Sequence, residues 1–260
     1  MSPSPASPAR PSPAARTRLT WFGHATFSIV TPGGTVLVID PWFGNPSAKD
    51  PDALGKLGCV DFLLLTHGHS DHSADAIAVG KAGATLVGSY ELAAALEGAG
   101  YPAEKATAAF KVGNAGGTIP LNDEVKVTLV PAIHSSGIEV TGRPGPAPYG
   151  GAPLGFVIQI ADGPTIYDTG DTDAFYDMET RVGARFGIDL MLACIGGHFT
   201  MDPDGAALAA SWVRPKAIVP MHFGTFPILA GTPSKLAEAL AARGVRSEVI
   251  ELPIGEPREF

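Results

Sequence analysis

The feature that most constrains this chain is Thr66-His67-Gly68-His69-Ser70-Asp71-His72, three imidazoles and a carboxylate directly behind the apolar run Phe62-Leu63-Leu64-Leu65. In an extended segment residues two apart project to the same side, so His67 and His69 point together, while Asp71 and His72 fall on the turn that follows. Gly68 and Ser70 are small enough to let backbone approach an ion. A polar loop of unrelated surface histidines does not account for this crowding at a strand end. Neutral imidazole and carboxylate suit zinc, or iron or manganese where carboxylates bridge.

Composition limits what surrounds this motif. A chain of 260 residues makes one large domain or two small ones, and 45% hydrophobic with 17% charged residues describes a core-forming globular protein. The formal net charge of −8 opposes nonspecific nucleic-acid binding through overall charge. Cys59 and Cys194 are too few for a disulfide framework and lack thiolate-metal spacing, so free thiols in a reducing, cytoplasmic setting are expected. No apolar stretch has the length needed to span a bilayer, so no membrane partner is expected. Residues 1–16 are rich in Pro, Ser and Ala without the apolar region of a secretory signal, and read as a flexible tail ahead of a domain over 17–260.

From Leu19 the pattern predicts strands at Leu19 to Phe22, Thr26 to Val30, Val36 to Ile39, Phe62 to Thr66, Thr85 to Val87 and Val125 to Val130, with Pro32-Gly33-Gly34 as a hairpin turn. Helices are predicted at Asp71 to Val79 and Tyr90 to Glu97, the second ended by Gly98. A second half repeats the alternation, with strands at Phe156 to Ile160, Thr165 to Tyr167, Leu190 to Cys194 and Ala217 to Val219. Its helices are predicted at Asp173 to Val182, Pro203 to Trp212 and Pro233 to Ala242. Strands in two groups with helices outside predict a layered α/β arrangement. The Gly/Pro-rich stretch Gly137 to Gly155 between the halves reads as a pocket rim or lid.

Further ligand types sit beyond predicted strand ends: His134 after Pro131-Ala132-Ile133, Asp171 within Asp168-Thr169-Gly170-Asp171-Thr172, and His222 after Pro220-Met221. Loops beyond strand ends are where layered α/β folds gather functional groups, so these distant positions can converge. The ordered set Thr66 to His72, His134, Gly170-Asp171-Thr172 and His222 resembles the metallo-β-lactamase superfamily over nearly all of residues 17 to 260. That resemblance implies a four-layer αβ/βα sandwich with the site at one edge between the sheets. Trp21-Phe22-Gly23-His24-Ala25, Ile195-Gly196-Gly197-His198-Phe199-Thr200-Met201 and Pro220-Met221-His222-Phe223-Gly224-Thr225-Phe226 look like the metal-dependent hydrolase branch related to ascorbate-6-phosphate lactonases. By that resemblance His67, His69 and His134 hold one metal, Asp71, His72 and His222 the other, and Asp171 bridges them.

Two cations about 3.5 to 4 Å apart share a water, lower its pKa toward neutrality and stabilise attacking and leaving oxygens. The expected activity is therefore hydrolysis of a small ester, lactone or phosphoester by a metal-bound hydroxide, with zinc favoured and manganese or iron as alternatives. Asp71 is the candidate to orient that nucleophile or take its proton, and His198 the candidate to contact an oxyanion or protonate a leaving group. His24 and Asp40 are candidates for positioning a ligand or touching substrate, with structural roles as the alternative; Asp168 shares that choice. Rival readings are a phosphodiesterase or RNA-processing nuclease, which the acidic balance opposes, and a non-hydrolytic iron-binding redox protein. A fold of this size also leaves room for a homo-oligomer.

Overall fold

The run Val36-Leu37-Val38-Ile39 is apolar at every position, and the computed structural model, which describes residues 16–50, 52–138 and 147–260, shows why. Leu37 and Ile39 point into a core cluster shared by two sheets, whereas Val36 and Val38 point into a second cluster beneath helices. A strand buried on both faces reads as a continuous apolar run instead of an alternating one. The same division recurs at Leu64 against Leu63 and Leu65, and at Val87 against Leu86.

The first sheet contains β1 (Arg18–Trp21), β2 (Phe27–Val30), β3 (Val36–Ile39), β4 (Phe62–Leu64), β5 (Thr85–Ser89) and β6 (Val112–Gly113). Its other edge is β14 (Pro257–Glu259), which pairs antiparallel with β1. The second sheet contains β7 (Thr118–Pro120), β8 (Val125–Pro131), β9 (Leu154–Ile160), β10 (Thr165–Asp168), β11 (Leu190–Cys194), β12 (Ala217–Met221) and β13 (Glu248–Val249). Each sheet has seven strands, in the orders β14-β1-β2-β3-β4-β5-β6 and β13-β12-β11-β10-β9-β8-β7. Side chains of both sheets meet in the larger cluster, so the expected layered sandwich is present.

Helices α1 (Ala53–Lys56), α2 (Ser70–Ser73), α3 (Ala76–Lys81) and α4 (Tyr90–Gly98) belong to the first half, α5 (Pro203–Val213) and α6 (Pro233–Ala242) to the second. The sequence marks the starts of the last two plainly. Asp202 accepts from Gly205 N at 2.8 Å and Thr232 from Lys235 N at 3.3 Å, each followed by proline in the first turn. The Pro32-Gly33-Gly34 turn also forms, with Thr31 N bonded to Thr35 O at 3.0 Å and Gly34 at φ 90°.

Two helix predictions need correction. Asp71 to Val79 is not one helix, because Asp75 leaves helical geometry at φ −100° and ψ 6°. Its amide bonds Pro41 O at 2.9 Å and its carboxylate accepts from Phe43 N at 2.8 Å, so a long-range clamp divides α2 from α3. Asp173 to Val182 keeps only a late segment, with a π-helical turn at Glu179–Gly183. Upstream, Asp173 N bonds Ile133 O at 3.1 Å and Met201 N bonds Thr172 O at 2.9 Å, which holds that backbone across other loops. The short edge strands β6, β7, β13 and β14 were too brief to show a periodic pattern. The tail expected at 1–16 falls, except for residue 16, outside the described residues.

Strand direction collects the functional loops. β1 and β3 are both antiparallel to β2, and β3, β4 and β5 run parallel, so the carboxyl ends of β1, β3, β4 and β5 share one edge. In the second sheet β8 and β10 are both antiparallel to β9, and β10, β11 and β12 run parallel. The residues following β1, β3, β4, β8, β10 and β12 include every cluster residue described next.

Candidate metal centre

Construction starts at Asp40, the residue after β3. Its carboxylate accepts from Thr66 N at 2.8 Å and Thr66 Oγ1 at 2.6 Å, and from His72 Nδ1 at 2.7 Å. A carboxylate only accepts, so His72 carries a proton on Nδ1 and turns Nε2 toward Asp171 Oδ2, 3.3 Å away. Thr66 Oγ1 has spent its hydrogen on Asp40 and therefore accepts from His67 Nδ1 at 3.0 Å. Asp40 thus sets the tautomer of two imidazoles, one directly and one through Thr66. His69 completes the turn, with Nδ1 2.9 Å from His67 Nε2 and Nε2 3.3 Å from Ser135 Oγ.

The loops of the second sheet close the cluster. Asp171 Oδ2 lies 3.0 Å from His222 Nε2 and 3.7 Å from His134 Nε2. Three sets of ligand atoms each fall within 4.8 Å of one another: His67, His69 and His134; His67, His72 and Asp171; and His24, Asp71, His72 and His222. Among the described residues His72 Nε2, Asp171 Oδ1 and both His222 ring nitrogens are buried and make no hydrogen bond of good geometry, although the two Nε2 atoms stand close to Asp171 Oδ2. Buried polar atoms without a hydrogen bond are costly, and nitrogen and oxygen ligand atoms crowded on one another are what a cation would relieve. The donor set therefore fits divalent metal.

Electrostatics of the metal-free cluster follow from the same crowding. Burial, reinforced by His72, drives the His67 imidazole well below its ordinary pKa, and burial also lowers His134. For His72 and His222 burial opposes protonation, but Asp171 outweighs it, raising His72 well above the ordinary value and His222 to about 9. Burial pushes the Asp71 and Asp171 carboxyls up, yet their imidazole neighbours hold both well below the usual carboxylate range.

His24 buttresses one side. Its Nε2 donates to Asp71 Oδ2 at 3.0 Å, and its Nδ1 then accepts from Thr225 Oγ1 at 2.9 Å. Burial lowers its pKa to about 4, so the ring is neutral with both nitrogens engaged. His24, Asp40 and His222 are all buried and all left-handed, at φ 51°, 44° and 55°. Such backbone costs about 1–2 kcal/mol per non-glycine residue and gathers where surrounding structure holds a site in place. Gly196 shows how tight that hold is: a Cβ there would lie 2.2 Å from His222 O.

Residues 35–223 match the family model described as Beta-lactamase superfamily domain, a span holding all seven predicted ligands. The chain belongs to the metallo-β-lactamase superfamily. Within it, a UPF0173 metal-dependent hydrolase from Anaeromyxobacter dehalogenans is 52% identical over 94% of this chain and 87% of its own. Another from Thermodesulfovibrio yellowstonii is 47% identical over 92% of this chain and 91% of its own. A solved metallo hydrolase from Ignicoccus hospitalis superposes with a TM-score of 0.79 at 30% identity, covering 94% of this chain and 98% of that one. The chain accordingly belongs with the UPF0173 metal-dependent hydrolases and has the superfamily's sandwich fold.

In this superfamily member the seven predicted ligand residues converge, and His24 and Asp40 contact them. His198 does not join them: it is exposed after β11, left-handed at φ 61°, and its ring lies 4.4 Å from Phe199. Asp168 accepts from Gly170 N at 3.2 Å and contacts no cluster imidazole by hydrogen bond among the described residues. Burial, with Asp40 nearby, raises its carboxyl well above the usual value. Both cysteines are free, and burial raises Cys194 to about 12. Of the Gly137 to Gly155 stretch, 139–146 lies outside the described residues. Its base is pinned to the ligand turn, with Ser136 Oγ accepting from Gly68 N at 3.2 Å and donating to Gly150 O at 3.0 Å.

Thr66, Thr225 and Ser135 were missed as contacts of the imidazoles. Thr66 and Ser135 stand beside ligands in sequence and Thr225 three residues after one, but nothing in residue type distinguishes such a hydroxyl from that of an ordinary turn residue.

Proposed function

We propose that this hydrolase uses two divalent cations, one held by His67, His69 and His134 and the other by Asp71, His72 and His222, with Asp171 facing both. The observation that carries the reading is the buried set of atoms without a hydrogen bond on His72, Asp171 and His222, beside imidazoles whose Nδ1 atoms are held by Asp40 and Thr66 so that Nε2 faces inward. Zinc fits that donor set, and manganese and iron fit it also. When bound there, a divalent cation would supply Lewis acidity to a water and to the reacting oxygen. The substrate is a small ester, lactone or phosphoester.

The protein's own groups do the positioning. Asp40 fixes His72 and, through Thr66, His67. The side chain of Asp71 is 29% exposed where His72 is 0%, so it reaches the solvent side of the cluster. Its carboxyl is held well below the usual range, which suits orienting the attacking water more than keeping its proton. His24 fixes the rotamer of Asp71 and is a positioning residue.

The test is metal analysis of the purified chain together with lactone, ester and phosphodiester turnover after separate reconstitution with zinc and manganese. Two ions per chain and activity abolished by a chelator are expected. A single ion at saturation would end the dinuclear reading, and full activity in the chelated protein would end the hydrolase mechanism.

A further inference from the structure

The mouth of the cluster carries aromatic surface. Trp42 follows Asp40 in the loop after β3, and Phe226 follows His222 in the loop after β12. Their rings stack with centroids 6.1 Å apart and planes 27° apart, so loops of the two sheets meet there. Both stand edge-on to His24, at 5.2 Å for Trp42 and 6.3 Å for Phe226. His24 in turn bonds Asp71, the carboxylate on the solvent side of the cluster. Phe226 is 40% exposed, and Ile133, beside His134, is 54% exposed. Apolar side chains that touch His24 or neighbour His134 thus stand partly in water, and covering them with substrate would release that water.

Among the described residues no lysine or arginine ion-pairs with a cluster member. The main charges acting on His24, Asp71, His72, Asp171 and His222 all come from other histidines and carboxylates. Among the described residues no guanidinium or ammonium group is thus paired with the cluster to take the remaining oxygens of a phosphate. An uncharged acyl chain needs none.

We infer that Trp42 and Phe226 form the wall that binds the apolar, uncharged part of an ester or lactone, and that the site favours such substrates over phosphorylated ones. This rests on the hydrolase reading above and narrows its substrate class. Hydrolysis adds one water across the acyl carbon–oxygen bond and yields an acid and an alcohol, while the wall only holds the chain.

The test compares p-nitrophenyl acetate, butanoate and hexanoate with bis(p-nitrophenyl) phosphate on the zinc-loaded protein. Specificity should rise by up to about fourfold per methylene, the transfer value of one buried CH₂ converted by RT. Trp42→Ala and Phe226→Ala should flatten that slope to below about twofold, chiefly through KM, while Phe226→Leu keeps most of it. Equal slopes in the parent and both alanine variants, or preference for the phosphodiester over the hexanoate, would overturn the inference. Binding is read separately by tryptophan fluorescence on titration with butanamide, hexanamide and octanamide, with Trp42→Phe identifying the reporter. Amide affinity that grows with length and loses this growth in Phe226→Ala supports the wall even if no ester turns over, in which case the hydrolase reading alone fails. Esters cleaved without regard to length, with amide binding equally indifferent, leave the hydrolase standing and remove the wall.

Discussion

The turn after β4 and the loops of the second sheet bring the same kinds of side chain to one place by different means. His67, His69, Asp71 and His72 lie within six consecutive positions, so chain connectivity alone keeps them close, and Asp40 with Thr66 then fixes two of the rings. His134, Asp171 and His222 come from three loops after β8, β10 and β12, and their placement depends on strand register. The first group is preorganised locally and has its ring nitrogens paired behind it. Among the described residues the second holds most of the buried cluster atoms without a hydrogen bond, Asp171 Oδ1 and both His222 ring nitrogens, while the first adds His72 Nε2. The turn therefore presents a half-site, and the loops need the ions to complete theirs.

The sharpest way to break this contrast is Asp171→Ala, which removes the carboxylate facing both halves. Metal content should fall and turnover should drop by more than about 100-fold, beyond the usual cost of disturbing a supporting residue. Elemental analysis alongside kinetics checks it, and full metal content with activity would refute the bridging placement. Asp40→Asn comes next, because an amide oxygen cannot hold Thr66 and His72 as the carboxylate does. Metal affinity should weaken by about 10- to 100-fold with the fold retained by circular dichroism. An unchanged affinity would mean that the turn is ordered without its support.

A smaller effect concerns pH. In the metal-free protein His222 titrates at about 9, so at neutral pH it holds a proton that a metal must displace. That raised value stabilises the metal-free fold fully below about 6.5, and the stabilisation is lost as pH rises through about 9. Zinc affinity should accordingly climb about tenfold per pH unit for each proton released between these values. Calorimetry in buffers of different ionisation enthalpy counts the protons, and no release at pH 7 would contradict the assignment. The smallest expected effect is from His198→Ala, at under about threefold in kcat/KM, since its exposed ring stands off the cluster. A loss above about 100-fold would restore it to the proton-transfer role that its motif suggested.

Much of the site was legible because its ligands are rare residue types placed just beyond apolar runs. Continuous burial of Val36 to Ile39 and of Leu190 to Cys194 likewise made the strands plain. The broken helix at Asp75 and the delayed helix after Asp173 were not legible, since each is overridden by a backbone bond to a loop more than thirty residues away in sequence. His24 and His198 illustrate the same limit at the site. Both sit in glycine-flanked turns after strands, yet one is sealed against Asp71 and Thr225 and the other faces water.

The residues themselves determined that this chain would carry a metal-type donor set, because imidazole and carboxylate chemistry is a property of side chains and the spacing of the turn is covalent. Tertiary structure decided which lone pairs face inward, which histidine remains outside, and where aromatic surface meets the centre. Those outcomes depend on strand register, left-handed backbone at His24, Asp40 and His222, and carboxylates that fix tautomers from a distance. None of these is set by neighbours along the chain.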